Sequence, residues 1–202
     1  QDSPVGLDPA FASVADNCVI DKQGRIGTRK GYSYVTTNGN AVLGSSRGIE
    51  AGIEFTDRSG DVYAVSAGNL KLFSGYETLV DITPAAYTPT GNNWKMVSFN
   101  NHVYMAQRQH VPLIGSDEAG SFVLETHTAH AHSTGTMPQA NEILAAYGRI
   151  WAADIIDNKY TVYWSDLLNG AGWTGGTTGS IDLTTVWPTG FDEVVALSAH
   201  NG

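Results

Sequence analysis

Short apolar runs alternate along the chain with tight polar breaks, and one local pattern recurs: an apolar strand, a polar turn, then a second strand carrying an aromatic residue. Its first copy runs from Ile49 to Val65, with Asp57-Arg58-Ser59-Gly60 turning the chain before Asp61-Val62-Tyr63-Ala64-Val65. In the second, Trp94 to Phe99 leads through Asn100-Asn101 into His102-Val103-Tyr104-Met105-Ala106. The third is Glu142 to Ala146, Tyr147-Gly148, and Arg149 to Ala153. A fourth opens with Asp192 to Ala199 and reaches His200-Asn201-Gly202 at the position of the turn. From Gly60 through Asn101 and Gly148 to Asn201 the steps are 41, 47 and 53 residues, near the roughly 40–50 residues of a propeller blade.

Further strands are expected between these hairpins, at Leu70–Phe73 after Gly68-Asn69 and at Tyr160–Trp164 after Asp157-Asn158-Lys159, so each unit holds at least three. From residue 46 onward no apolar i, i+3, i+4, i+7 pattern persists long enough for a helix. One short helix is expected at Pro9–Asp16, with Asp8 able to cap it and Asn17 to end it. The expected fold is therefore all-β: an N-terminal arm and hairpin over residues 1–45, then over 46–202 an incomplete β-propeller of about three blades plus the start of a fourth. Blades bury their faces against one another and a ring takes roughly four to eight of them, so the propeller is expected to continue past Gly202. A β-sandwich is the alternative architecture.

Composition agrees with many turns and strands: 23 glycines, 10% aromatic and 42% apolar residues. Twenty acidic against eleven basic side chains leave a net charge of −9, which repels a polyphosphate backbone and argues against a DNA-gripping face. A channel that lets DNA slide is compatible with that balance, because Lys and Arg contacts would hold the polymer. The single cysteine, Cys18, has no intrachain partner. The first residues lack the basic and apolar regions of a secretory signal, and no stretch has the roughly 18 consecutive apolar residues of a membrane-spanning helix.

The segment from Ala15 to Tyr32 contains Asn17, the turn Asp21-Lys22-Gln23-Gly24, and Arg29-Lys30-Gly31. It resembles the opening of the tail nozzle, tail tubular and packaged-DNA stabilisation proteins of podoviruses, the short-tailed bacteriophages. Tyr147-Gly148-Arg149-Ile150-Trp151, Tyr163-Trp164-Ser165-Asp166 and Asp192 to Leu197 are similar to blade phrases of the same family. The resemblance implies a propeller-bearing virion subunit, assembled in the bacterial host cytoplasm as a homohexameric tube. That tube lies below the portal and adaptor, binds adaptor and fibre proteins, and lets DNA pass without sequence recognition. It implies no enzyme and no cofactor. On the residues themselves, Asp21 to Gly24 reads as a hairpin turn, with Gly24 free to take positive φ and Arg25–Arg29 as the returning strand. Arg29 and Lys30 can then dock on an acidic neighbour or simply end a solvated strand.

Several features invite a chemical reading. His127, His130 and His132 form a His-x-x-His-x-His run whose spacing suits Zn²⁺ or Ni²⁺. Against it, no cysteine is near and the flanking Ser, Thr and Gly suggest a solvated loop, so no metal is assigned. Ser165-Asp166 with Gly170-Ala171-Gly172-Trp173 is reminiscent of the Ser-x-Asp-x-Gly-x-x-Trp turn of sialidase-like propellers in a different register, and such boxes shape turns without catalysing. No sequence pattern nominates the carboxylate pair a glycosidase needs. Neither Gly-x-Ser-x-Gly nor a phosphate loop occurs, and Gly44-Ser45-Ser46-Arg47-Gly48 reads as a hinge. Trp94, Trp151, Trp164, Trp173 and Trp187 can form a sugar platform, but packing between blades with the indole N–H on backbone is the commoner use. The leading expectation is thus a structural tail subunit; the rivals are a carbohydrate-binding or glycosidase-like propeller and a generic protein-interaction propeller.

Overall fold

Two turns at equivalent places in the repeat set the frame of the molecule. In the computed structural model Asn100 and Asn101 have φ of 49° and 59°, and Tyr147 and Gly148 have 53° and 71°. Positive φ at both central residues is the signature of the two-residue hairpin turn whose twist matches its strands. The strands they join register tightly, Phe99 opposite His102 and Ala146 opposite Arg149. The structure describes residues 18–20, 26–28, 36–37, 40–41, 49–53, 62–66, 69–74, 78–89, 93–117, 122–186 and 193–200. They fall into two compact units, Gln1–Tyr34 and Val35–Gly202.

The described part of the first unit is one antiparallel pair, β1 (Cys18–Ile20) with β2 (Ile26–Thr28), with Ile20 opposite Ile26. It flanks the expected Asp21–Gly24 turn, which lies outside the described residues, as does the expected helix Pro9–Asp16.

The second unit begins with a small pair, β3 (Thr36–Thr37) and β4 (Asn40–Ala41). Three four-stranded antiparallel sheets follow, each a meander of four consecutive strands. The first joins β5 (Ile49–Ile53), β6 (Val62–Ser66), β7 (Asn69–Ser74) and β8 (Thr78–Asp81). The second joins β9 (Lys95–Phe99), β10 (His102–Ala106), β11 (Leu113–Ser116) and β12 (Val123–Thr126). The third joins β13 (Ala140–Ala146), β14 (Arg149–Ile155), β15 (Thr161–Trp164) and β16 (Gly179–Asp182). The described residues are all-β, as the short runs and missing helical period from residue 46 onward require; a 3-10 turn, Leu183–Thr185, follows β16. No described helix is long and apolar enough to cross a membrane.

Strand alternation explains how the sheets stack. Successive side chains of a strand point to opposite faces, and β10 carries apolar residues on both. Val103 and Met105 join Trp94, Leu113 and Leu124 in one core, against which Ala51 and Ile53 of β5 pack. Tyr104 and Ala106 join Ile114, Ile143, Ile150 and Ala152 in a second core, shared with the third sheet. The middle sheet is therefore buried on both faces, which is why Val103–Ala106 of β10 is an unbroken apolar run and not an alternation. The first strands lie side by side, β9 against both β5 and β13, and Lys95 of β9 reaches Glu142 of β13 at 3.1 Å.

The fourth repeat departs from expectation. The expected strand Asp192–Ala199 is not formed: residues 193–200 contain no strand. A strand needs a second backbone to take its hydrogen bonds, and the bonds found here are isolated. Val194 N–H donates to Lys159 O at 2.9 Å, and the Tyr147 hydroxyl donates to His200 O at 2.8 Å. The segment thus reaches from the β14–β15 turn to the β13–β14 turn while keeping Val195 73% exposed.

Candidate functional site

Three of the six histidines gather where the second and third sheets meet. Asn100, His102 and Tyr104 come from the β9–β10 hairpin, and His130 and His132 from the loop after β12. With Leu168, Asn169, Gly170 and Ala171 of the β15–β16 loop they line a cleft of about 280 Å³. The His102 and His130 rings meet edge-on with centroids 5.3 Å apart, and His130 meets His132 at 5.8 Å. Asn100 Nδ2 donates to Leu168 O at 2.7 Å, so the hairpin of one sheet holds the loop of the next.

The loop after β12 is built from turns: Ala129 N–H and His130 N–H both donate to Thr126 O, and Ser133 N–H to His130 O. It is then strapped to the third sheet by an isolated parallel bridge between Thr134 and Gly172. Thr134 N–H donates to Ala171 O at 3.1 Å, and Trp173 N–H returns to Thr134 O at 2.8 Å. The expectation of a solvated histidine loop holds for its flanking residues, with Thr128, Ala129, Ala131, His132 and Thr134 exposed, but not for two of the imidazoles: His127 is 1% exposed and His130 6%. The ring of His127 donates from Nε2 to Ala171 O at 3.0 Å. Among the described residues no three His, Cys, Asp or Glu side chains are arranged to hold a metal.

Close approach fixes the floor of the cleft. A β-carbon on Gly170 would lie 2.6 Å from the Tyr104 ring and 2.7 Å from Ile150 Cδ1, so only glycine lets this loop settle on the second core.

Ser165 and Asp166 shape the same loop. The buried Ser165 hydroxyl accepts Ile150 N–H at 3.0 Å. Asp166 Oδ1 accepts the Thr177 hydroxyl at 2.7 Å, Thr177 N–H at 2.8 Å and Leu167 N–H at 2.9 Å. Arg149 clamps the far side, donating to Ser165 O and Thr177 O at 2.7 and 2.9 Å. These bonds, the Thr177 hydroxyl foremost, hold the Asp166 carboxyl below its ordinary range. A carboxyl depressed by folding stabilises above its unfolded pKa of about 3.9 and loses that contribution as pH falls through the folded value. Asp166→Ala is therefore expected to speed Thr177 amide exchange several-fold at pH 6, with Asp166→Asn retaining part of the protection. Equal protection in the alanine variant and the native chain would remove Asp166 as the anchor.

The indoles are used for packing. Trp151 donates from Nε1 to Ala146 O, Trp164 to Thr177 O and Trp173 to Gly170 O, each at 3.0 Å. Trp151 and Trp164 face each other across β14 and β15 at 5.4 Å. Trp94 is 4% exposed in the first core.

Asn17, Asp21, Gly24, Arg29 and Gly31 lie outside the described residues, as do the Gly44–Gly48 hinge, the Asp57–Gly60 turn and Trp187. Inspection of the sequence did not single out Asn100, His102 or Tyr104, because a histidine after a hairpin turn has no pattern of its own. It also missed a second tie between the sheets, in which the Arg108 guanidinium and Asn141 Nδ2 both donate to Asp154 Oδ2, the latter at 2.9 Å. No family model, no curated protein and no solved structure matches this chain.

Proposed function

We propose that this chain is a structural subunit of a short phage tail, in the part that extends the DNA exit channel, and that its sheets are blades of an incomplete propeller. The observation that carries the propeller is the threefold succession of four-stranded meanders whose first strands adjoin, the way inner strands surround a propeller axis. Residues 193–200 follow the third sheet in the chain and hydrogen-bond to Lys159 and Tyr147 of two of its turns. Sandwiches with Greek-key connections exchange strands between sheets, whereas each meander here takes four strands in order.

The tail role rests on the podovirus-like phrases. Tyr147-Gly148-Arg149-Ile150-Trp151 forms the β13–β14 turn, and Tyr163-Trp164-Ser165-Asp166 closes β15 and anchors the loop beyond it. On this reading the protein acts by assembly: stacked sheets form a rigid platform, loops meet neighbouring subunits, adaptor or fibres, and the acidic balance lets DNA slide. A carbohydrate-binding propeller has less support, since Trp173 packs against the second core with its N–H on Gly170 O. Electron microscopy of the native assembly tests the proposal. A six-fold tube at a capsid vertex is the expected image, and dispersed monomers are the image that refutes it.

A further inference from the structure

We propose that the His127 loop is an acid-released latch between the second and third sheets: a second proton on the His127 ring detaches residues 127–134 from the Asp166–Trp173 loop. The inference concerns the described sheets alone and stands whether or not the chain belongs to a phage tail.

The hydrogen bonds dictate the tautomer. A carbonyl only accepts, so the nitrogen facing Ala171 O, Nε2, carries the proton and Nδ1 keeps its lone pair. Nδ1 is fully enclosed and has no hydrogen-bond partner among the described residues. Protonating it creates an enclosed charged donor with no acceptor among the described residues, which is among the more expensive things a folded protein can hold. Released into solvent, the same ring is hydrated and takes the proton at its ordinary pKa. Docking and protonation therefore exclude one another, and a ligand that binds only one of two states shifts the equilibrium toward it.

The surroundings reinforce this. His130 shares the loop and interacts electrostatically with His127, with Glu125 of β12 3.9 Å from its Nδ1. β10 contributes His102 and Tyr104 to the same cluster, and His132 closes its outer side. The β10–β11 turn, which accepts His127 N–H on Pro112 O, carries Arg108, paired with Asp154, and His110. From the third sheet His127 meets the Ala171 carbonyl, while the Asp166 carboxylate is turned to Thr177. Burial lowers the proton affinity of His127 most; the bond to Ala171 O opposes that, and charge on His130 adds to it. For a histidine whose folded pKa is depressed, docking is complete above the ordinary value of about 6.5 and weakens as pH falls below it.

The amides of Thr134 and Trp173 report directly, since each forms a hydrogen bond of the strap. Hydrogen exchange of the full chain, corrected for the intrinsic chemical rate, is measured at pH 7.5 and 5.0, with the β10 amides of Tyr104 and Met105 as internal controls. Linkage to one proton predicts that the opening constant of both strap amides rises about tenfold per pH unit below the ordinary histidine pKa, with the controls unchanged. His127→Gln keeps a donor for Ala171 O and cannot titrate, so its strap amides stay protected at pH 5.0. An equal acid response in His127→Gln, or a flat response in the native chain, overturns the latch. Should the variant not fold, ¹⁵N shifts of the native imidazole decide: a doubly protonated His127 ring within a still-protected strap is the refuting result.

Discussion

Ile150→Ala is expected to destabilise the second unit by about 3–4 kcal/mol, within the roughly 2–5 kcal/mol for removing a large aliphatic side chain from a core. Ile150 is fully buried and belongs to the core shared by the second and third sheets, beside Tyr104, Ile114 and Ile143. Gly170 comes so close to its Cδ1 that the loop above has little room to collapse into the gap, which places the cost toward the upper part of that range. For a unit of this size the midpoint of thermal unfolding should fall by roughly 10 °C. Leu144→Ala is the contrasting change: Leu144 lies opposite Trp151 on the other face of the third sheet and is only partly buried, so its loss should cost clearly less. Urea unfolding with an unchanged slope would attribute the difference to native packing. Equal costs at the two positions would contradict a core shared between the sheets.

Arg108→Met should be nearly as harmful, at about 3 kcal/mol, for an electrostatic reason. The Asp154 side chain is 6% exposed against 34% for Arg108, so removing the cation leaves a carboxylate that water barely reaches, with Asn141 as its remaining donor. Breaking a buried pair by taking one partner costs more than replacing both. Arg108→Met combined with Asp154→Asn is therefore expected to recover a large part of the loss; asparagine also tolerates the φ of 56° at this position. A double-mutant cycle from denaturant unfolding measures the coupling. A coupling energy near zero would mean that the pair orders side chains without stabilising the contact between sheets.

Much of the fold was legible in the local pattern. Polarity and glycine mark Asn100-Asn101 and Tyr147-Gly148 as turns, and both adopt the positive φ that a two-residue hairpin demands. The strands on either side follow from apolar runs too short for helices; the expected Leu70–Phe73 lies within the strand Asn69–Ser74, and of the expected Tyr160–Trp164 the strand takes Thr161–Trp164. The site was much less legible. His-x-x-His-x-His suggested a solvated loop because its neighbours are small and polar, yet two of the three imidazoles are buried. The Thr134–Gly172 bridge that buries them joins residues far apart in the chain through backbone groups, and backbone groups leave no trace in residue types. His102 entered the cluster for the same reason, brought there by the stacking of two sheets.

The fourth repeat draws the line between local and tertiary information most clearly. Asp192 to Leu197 carries the same apolar signal as the three strands before it, but residues 193–200 have no strand, since a strand exists only when another backbone completes its ladder. Residue order was enough for the all-β class, the repeat and the hairpin turns, because φ preferences and side-chain alternation act within a few residues. Which faces became cores, which histidines met, and which carboxylate met Arg108 were decided when the sheets packed. Burial, desolvation and ion pairing depend on neighbours in space, and here those neighbours come from different sheets.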